Sequence, residues 1–150
     1  MNRVASRIVR EKSPEGRPAG ATSFPKTNRA ILVGVYGKSV GRAEAEDHLD
    51  ELERLVDTAG GITVARALQE RESPDPATYV GKGKLEEIAE AAGAMEAGWV
   101  VFDDELTPSQ TRNLEKQLSV EVLDRANVIL SIFASRARSR EAMTQVELAR

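Results

Sequence analysis

The chain of 150 residues contains no cysteine and a single histidine, His48. The absence of cysteine excludes disulfide bonds and thiolate metal sites, and it suits a protein that works in a reducing cytosol. A single histidine excludes a metal site built from several imidazoles. Aromatic residues are also scarce, at 4%, so aliphatic side chains have to fill the core, as they often do in parallel sheets covered by helices.

Long apolar runs are missing as well. None approaches the roughly 18 residues expected of a membrane-spanning helix, and the N-terminus lacks the apolar segment of a signal peptide. We therefore expect a cytoplasmic protein without a membrane span. The length suggests one domain with its own core, and a hydrophobic content of 41% is ordinary for a globular protein.

The net charge of −3 is unevenly distributed along the chain. Residues 1–29 contain seven Lys or Arg and two Glu, whereas the rest of the chain contains 14 basic and 22 acidic side chains. Pro14, Pro18 and Pro25 lie in the basic segment, which predicts a disordered basic arm over residues 1–28. Such an arm can also contact RNA phosphates, and both interpretations stay open.

Four short apolar runs alternate with segments of helical periodicity. The predicted strands cover 30–35, 62–68, 99–102 and 120–124. The predicted helices cover 42–59, 84–94, a segment that begins at 108, and 126–134. Because each connection is long enough for a crossover helix, the pattern predicts an α/β fold with a small four-stranded, mainly parallel sheet and helices on both faces. The fourth strand is short and is expected near an edge.

The sequence pattern changes at residue 135. Before residue 135, four apolar residues are spaced to face the core from one helix: Val128, Ile129, Ile132 and Phe133. After residue 135, three arginines alternate with small residues: Arg136, Arg138 and Arg140. This alternation predicts a polar connector between two helical segments. We therefore expect an α/β subdomain over 29–135, and over 136–150 the start of a long helix in a truncated helical subdomain.

The segment from Gly34 to Ser39 follows the first strand and ends in Gly-Lys-Ser, like a phosphate-binding loop. That motif requires a glycine where Leu32 stands. The stretch between Gly34 and Gly37 is also too short to wrap a phosphate with backbone N–H groups. A turn between strand and helix is therefore the favoured interpretation.

Three acids end the third strand, Asp103, Asp104 and Glu105. Ligand sites in open α/β sheets often lie at such strand ends, and these carboxylates could bind Mg²⁺ or exchange protons. No nucleophile or histidine accompanies them in the sequence, so we predict no catalytic, cofactor or metal site. We favour loop anchors or partners for arginine. Thr107 and Gln110 then have the spacing of a helix capping box around Pro108.

Two basic groups are candidates for phosphate contact. Lys82 and Lys84 alternate with glycines before a predicted helix, an arrangement that suits a phosphate group but also an ordinary surface loop. Arg136, Arg138 and Arg140 can bind RNA phosphates without sequence preference or pair with acids of a neighbouring domain.

Three segments together resemble the N-terminal domain of the HflX family of ribosome-associated GTPases. They are Tyr79–Lys84, Val101–Lys116 and Val122–Ala134, with the last continuing through residues 136–141 and 145–149. The resemblance covers residues 29–150. It implies a cytoplasmic protein that binds the large ribosomal subunit and helps to split or rescue ribosomes. In the family, a pair of long helices and a GTPase domain that uses GTP and Mg²⁺ follow the α/β subdomain.

For this chain, the resemblance implies a docking and regulatory domain. It contains no GTPase motif and no cofactor site of its own, so we expect no GTP hydrolysis by it. The implied partners are the large ribosomal subunit, ribosomal RNA and the missing GTPase domain. The candidate contact residues are Lys82, Lys84, Arg136, Arg138 and Arg140. A free-standing small-ligand or nucleotide-binding α/β module is the alternative.

Overall fold

A computed structural model describes the backbone of residues 27–149 and the side chains of residues 27–137. The strands are β1 (Arg29–Tyr36), β2 (Ile62–Glu70), β3 (Trp99–Phe102) and β4 (Glu121–Asp124). The helices are α1 (Arg42–Thr58), α2 (Lys82–Ala94), α3 (Pro108–Leu118) and α4 (Arg125–Ala149). This alternation confirms the predicted α/β fold. The predicted arm over 1–28 lies outside the described residues except for Thr27 and Asn28.

The four strands form one parallel sheet in the order β2-β1-β3-β4. The short strand β4 occupies an edge, as expected, and the longer β2 occupies the other edge. The connection that leaves β1 runs to one edge of the sheet, at β2, and the connection that leaves β3 runs to the opposite edge, at β4. The strand order therefore reverses between β1 and β3, and α/β sheets commonly bind ligands in the crevice at such a point.

Both faces of the sheet are covered, which is why β1 is almost continuously apolar. Successive side chains of a strand point to opposite faces. Ile31 and Val33 therefore pack towards α2 and α3, in a cluster that includes Leu85 and Leu114. The intervening Ala30 and Leu32 pack towards α1 and α4, in a second cluster that includes three α1 residues and one α4 residue, namely Leu49, Leu52, Val56 and Val128.

Local sequence explains where several elements begin and end. Thr107 Oγ1 accepts a hydrogen bond from Gln110 N (3.1 Å), and Gln110 Oε1 accepts one from Thr107 N (2.9 Å), which confirms the capping box at the start of α3. Gly61 follows α1, and a Cβ there would lie 2.3 Å from the Trp99 ring and 2.7 Å from Val56. Glycine at this position therefore leaves room for the Trp99 ring and the Val56 side chain at the start of β2.

The predicted polar connector at 136–140 is wrong, because α4 runs without interruption from Arg125 to Ala149. The segment contains neither Gly nor Pro, and alanine and arginine are among the better helix formers. Alternation of Arg with small residues was therefore no evidence for a break. The expected boundary between residues 135 and 136 falls inside one helix.

The prediction that Phe133 faces the core is also wrong. Phe133 is 62% exposed and Leu130 is 64% exposed, whereas Val128 is 1% exposed. Residues 128 and 132 lie one turn apart on the face that packs against the sheet, and Phe133 follows about 100° further round the helix. Apolar residues on α4 thus form two stripes, of which the sheet covers one.

The same Leu-to-Ala substitution should change the free energy of unfolding very differently at a buried position of α1 and at an exposed position of α4. Leu52→Ala removes a fully buried side chain and should lower the free energy of unfolding by about 2–5 kcal/mol. Leu130→Ala, on the exposed stripe of α4, should change it by less than about 0.5 kcal/mol. Urea unfolding monitored by circular dichroism measures both, and equal losses would contradict the assignment of α4's faces.

Candidate functional site

An open cleft of about 450 Å³ lies at the carboxyl end of β3, between α1 and α4. Its walls are mostly charged: His48, Glu51, Asp103, Asp104, Glu105 and Arg125. Two apolar residues of α4, Ala126 and Ile129, complete the lining. The cleft contains the three acids predicted as a strand-end cluster, together with an arginine and a histidine that the sequence pattern did not connect to them.

The Arg125 guanidinium joins three elements at this cleft. Its Nε donates to Asp103 Oδ1 at 3.2 Å, and its Nη2 donates to the same oxygen. Nη1 donates to Glu51 Oε1 (2.8 Å) and Nη2 to the carbonyl of His48 (3.0 Å), both on α1. Burial lowers the pKa of Arg125, but the hydrogen bonds and charges of Asp103 and Glu51 outweigh it and raise the pKa above its usual range. Arg125 therefore stays charged.

Asp124 stands beside Arg125 and fixes the neighbouring loop. It is 6% exposed, its Oδ2 accepts from Leu106 N (2.9 Å) and its Oδ1 accepts from Asn127 N (2.9 Å). Asn127 Oδ1 accepts from Asp124 N in return (3.1 Å). The side chain thus caps α4 and holds the loop after β3. The spacing of Asp124 and Asn127, followed by an apolar run, was the signal that could have predicted this cap.

Tyr79 reaches the same loop from the other face of the sheet. Its hydroxyl donates to Asp104 Oδ2 (2.5 Å), and its ring meets that of Phe102 edge to face at 5.3 Å. Burial of the phenol, reinforced by the bond to Asp104, raises the pKa of Tyr79 strongly. Tyr79 has a φ of 68°, and two backbone hydrogen bonds with Asp75 (2.9 and 2.8 Å) hold this conformation. No local sequence pattern marks Tyr79 as part of this site, because its contacts with Phe102 and Asp104 join residues that are distant in sequence.

The acids of the cleft are therefore largely engaged. Asp103 pairs with Arg125 and Asp104 accepts from Tyr79, as the interpretation of loop anchors expects, and Glu105 is exposed. His48 Nδ1 lies 3.7 Å from Asp103 Oδ2, and its side chain is 41% exposed. Within residues 27–137, no group of three or more His, Cys, Asp or Glu is arranged to hold a metal ion.

The predicted basic residues lie on opposite faces of the sheet. Lys82 is exposed at the start of α2, whereas Lys84 is 4% exposed and its Nζ lies 3.1 Å from Glu87 Oε1. Arg136 is exposed on α4; Arg138 and Arg140 lie beyond the described side chains. The structure therefore does not bring the two groups together, and Lys84 is turned to an internal partner. Contact with RNA stays a prediction.

The loop after β1 has no room for a nucleotide phosphate. Gly37 N donates to Val40 O (2.7 Å), and a Cβ on Gly37 would lie 2.2 Å from the carbonyl oxygen of Arg71. The predicted turn between strand and helix is confirmed. A nucleotide phosphate therefore does not fit this loop, because the loop's backbone is already packed against the end of β2.

Residues 46–134 match the family model described as "GTP-binding GTPase N-terminal". Curated relatives named GTPase HflX are 53% identical over 122 residues in Lacrimispora saccharolytica, 46% over 127 residues in Flavobacterium psychrophilum and 45% over 121 residues in Escherichia coli K12. These alignments cover 81%, 85% and 81% of this chain, but only 28%, 30% and 28% of the relatives. The chain spans less than a third of their length.

Solved structures show the same fold. A complex of SsGBP with GDP matches with a TM-score of 0.55 and 27% identity, over 81% of this chain and 33% of that one. A GTP-binding protein of the archaeon Sulfolobus solfataricus, also in complex with GDP, matches with a TM-score of 0.53 and 22% identity, over 71% and 30% of the two chains. The latter likeness concerns the fold alone.

Fold and family model together define the N-terminal domain of a GTP-binding GTPase. The curated relatives are 45% to 53% identical over more than four fifths of this chain. The chain therefore belongs to the HflX family, as the resemblance of its three segments indicated. No helix within residues 27–149 is long and apolar enough to cross a membrane.

The position of Asp124 predicts a destabilised Asp124→Ala variant. The substitution removes a helix cap, worth about 1 kcal/mol, and leaves the Leu106 N–H without its acceptor, at about 1–3 kcal/mol. We expect the free energy of unfolding in urea to fall by about 2–4 kcal/mol. Asp57→Ala, at an exposed position on α1, is the matched control and should change it by less than about 0.5 kcal/mol. A neutral Asp124→Ala would refute the cap.

The raised pKa of Tyr79 predicts a loss of stability at alkaline pH. The unfolded chain releases the phenolic proton near the ordinary value of 10.0, whereas the folded chain retains it. The free energy of unfolding should therefore fall above pH 10, by up to about 1.4 kcal/mol per pH unit from this group. Tyr79→Phe should remove that part of the slope and Tyr36→Phe should keep it. Parallel pH profiles for wild type and Tyr79→Phe would contradict the prediction.

Proposed function

We propose that this chain is the docking domain of an HflX-type GTPase and that it associates with the large ribosomal subunit in the cytoplasm. Ribosome splitting or rescue, with GTP and Mg²⁺, would then require the part of the relatives beyond the matching region. The observation that carries the proposal is the alignment itself, which covers most of this chain and less than a third of each relative.

Charge distribution supports a particular orientation on RNA. The cleft acids Glu51, Asp104 and Glu105 would repel phosphates, so the carboxyl edge of β3 should face away from ribosomal RNA. The exposed cations that remain as candidates are Lys82 on one face of the sheet and Arg136 on the other. Arg136 begins the arginine series of α4 that continues in the sequence with Arg138 and Arg140. We propose this series as the RNA contact and the start of α2 as a contact to the GTPase domain.

Co-sedimentation of the 150-residue chain with purified large ribosomal subunits tests the proposal. Binding should weaken as salt rises, because each phosphate contact releases counterions. Replacing Arg136, Arg138 and Arg140 together by Ala should weaken binding about tenfold or more at low salt and reduce the slope of log affinity against log salt by about 2 to 3.

A control with the same loss of charge replaces three exposed cations elsewhere, Arg54, Arg112 and Lys116. This variant should bind nearly as well as the wild type. No co-sedimentation of the wild type at low salt would reject autonomous docking. Equal weakening by both triple variants would reject the assignment of the α4 arginines.

A further inference from the structure

Helix α4 leaves the body of the domain after its second turn. Val128 and Ile132 pack against the sheet, whereas residues 133–137 are all exposed. Because five consecutive residues cover every side of a helix, the described part of α4 beyond Ile132 has no buried side. Among the described side chains, the contacts that can set the direction of α4 therefore lie at its start.

Apolar packing by itself leaves that direction loosely fixed. The Val128 and Ile132 side chains lie one turn apart on a single face of α4, and the hydrophobic effect that buries them is non-directional. The helix could therefore swing over the sheet with both side chains still buried. Arg136 lies about 16 Å along the helix from Arg125, so a swing of about 15° would displace it by about 4 Å. A hydrogen bond to a phosphate does not survive such a displacement.

Arg125 supplies directional contacts at the first residue of the helix. Its guanidinium donates to Asp103 after β3, and to Glu51 and the His48 carbonyl on α1. Asp103 is itself anchored in the sheet, because its backbone N–H donates to Val33 O (2.9 Å). Hydrogen bonds between charged groups are short and geometrically specific, above all those of the planar guanidinium. The start of α4 is thus fixed relative to two elements at once.

We propose that Arg125 is a positioning residue, whose pairing with Asp103 sets the direction in which α4 leaves the domain. The inference rests on the proposed function in one respect, since the arginine series that begins at Arg136 is assigned there to RNA. The pair then decides where that series meets phosphates, although the pair itself lies in the acidic cleft that faces away from RNA.

Two spin labels measure the direction of α4 in the 150-residue chain, which has no native thiol. Lys116→Cys on α3 and Ser135→Cys on α4 place the labels at exposed positions, and double electron–electron resonance gives the distribution of the distance between them. The otherwise wild-type chain should give one narrow distribution, and a broad one would reject the proposal. Asp103→Asn and Arg125→Gln should at least double its width or shift its maximum by about 4 Å.

Arg66→Gln is the matched control for the loss of a half-buried arginine. Arg66 Nη2 lies 2.7 Å from both Asp50 Oδ1 and Glu53 Oε1, and its side chain is 19% exposed, against 24% for Arg125. We expect this control to lower the urea midpoint of unfolding about as much as Arg125→Gln does, but to keep the wild-type label distance. Equal broadening by Arg66→Gln would indicate general loosening and reject the positioning role. An unchanged distance in Asp103→Asn and Arg125→Gln would reject it as well.

Binding to large ribosomal subunits tests the consequence for RNA. By charge alone, Asp103→Asn removes an acid and should strengthen binding or leave it unchanged. Positioning predicts the opposite, a loss of about three- to tenfold at low salt, because only molecules with α4 in the right direction bind. The salt slope should stay as in the wild type, because the phosphate contacts are the same. Glu105→Gln removes an exposed acid of the same cleft that is not among the acceptors of Arg125, and it should not weaken binding.

The two measurements separate this inference from the proposed function. A wild-type chain that does not sediment with ribosomes would reject the proposed function together with the RNA part of the inference, whereas the label distances decide the positioning of α4 on their own. Broadened distances with wild-type affinity in Asp103→Asn would reject the link between the Arg125–Asp103 pair and the RNA contact.

Discussion

The Arg125 guanidinium is the interaction on which the carboxyl edge of the domain depends. It holds Asp103 at the end of β3, and Glu51 and the His48 carbonyl on α1, while its backbone starts α4. A half-buried cation of this kind is tolerated only with its acceptors in place, because an unpaired charge would be costly there. The sheet, α1 and the first turn of α4 therefore have one mutual arrangement, and the acidic cleft is its consequence.

The two faces of the sheet are covered by different pairs of helices. On one face, α2 and α3 close an apolar core, and Tyr79 ties it to the loop after β3 through Asp104. On the other face, α4 packs through Val128 and Ile132 but leaves a second apolar stripe uncovered. Several polar groups at the carboxyl edge fix loops and helix ends instead, namely Asp103, Asp104 and Asp124.

Several features were predictable because they depend on local patterns. The strand–helix alternation, the capping box at Thr107 and the turn after Gly34 all follow from spacing within a few residues. The orientation of Phe133 was not predicted, since it depends on which of two apolar stripes of α4 meets the sheet. The continuity of α4 was missed although it is local, because residues 136–140 contain neither Gly nor Pro. The partners of Asp103 and Asp104 lie 22 and 25 residues away in sequence, beyond the range of any local pattern.

By itself the sequence determined the α/β class, the family and the exclusion of disulfides, because these follow from composition, from periodicity and from motifs that are contiguous in the chain. Only the tertiary structure decided which charges are free. It buried Lys84 against Glu87, paired Asp103 with Arg125 and left Leu130 and Phe133 exposed. The physical reason is that exposure and pairing are properties of packing between elements, which a one-dimensional pattern does not contain.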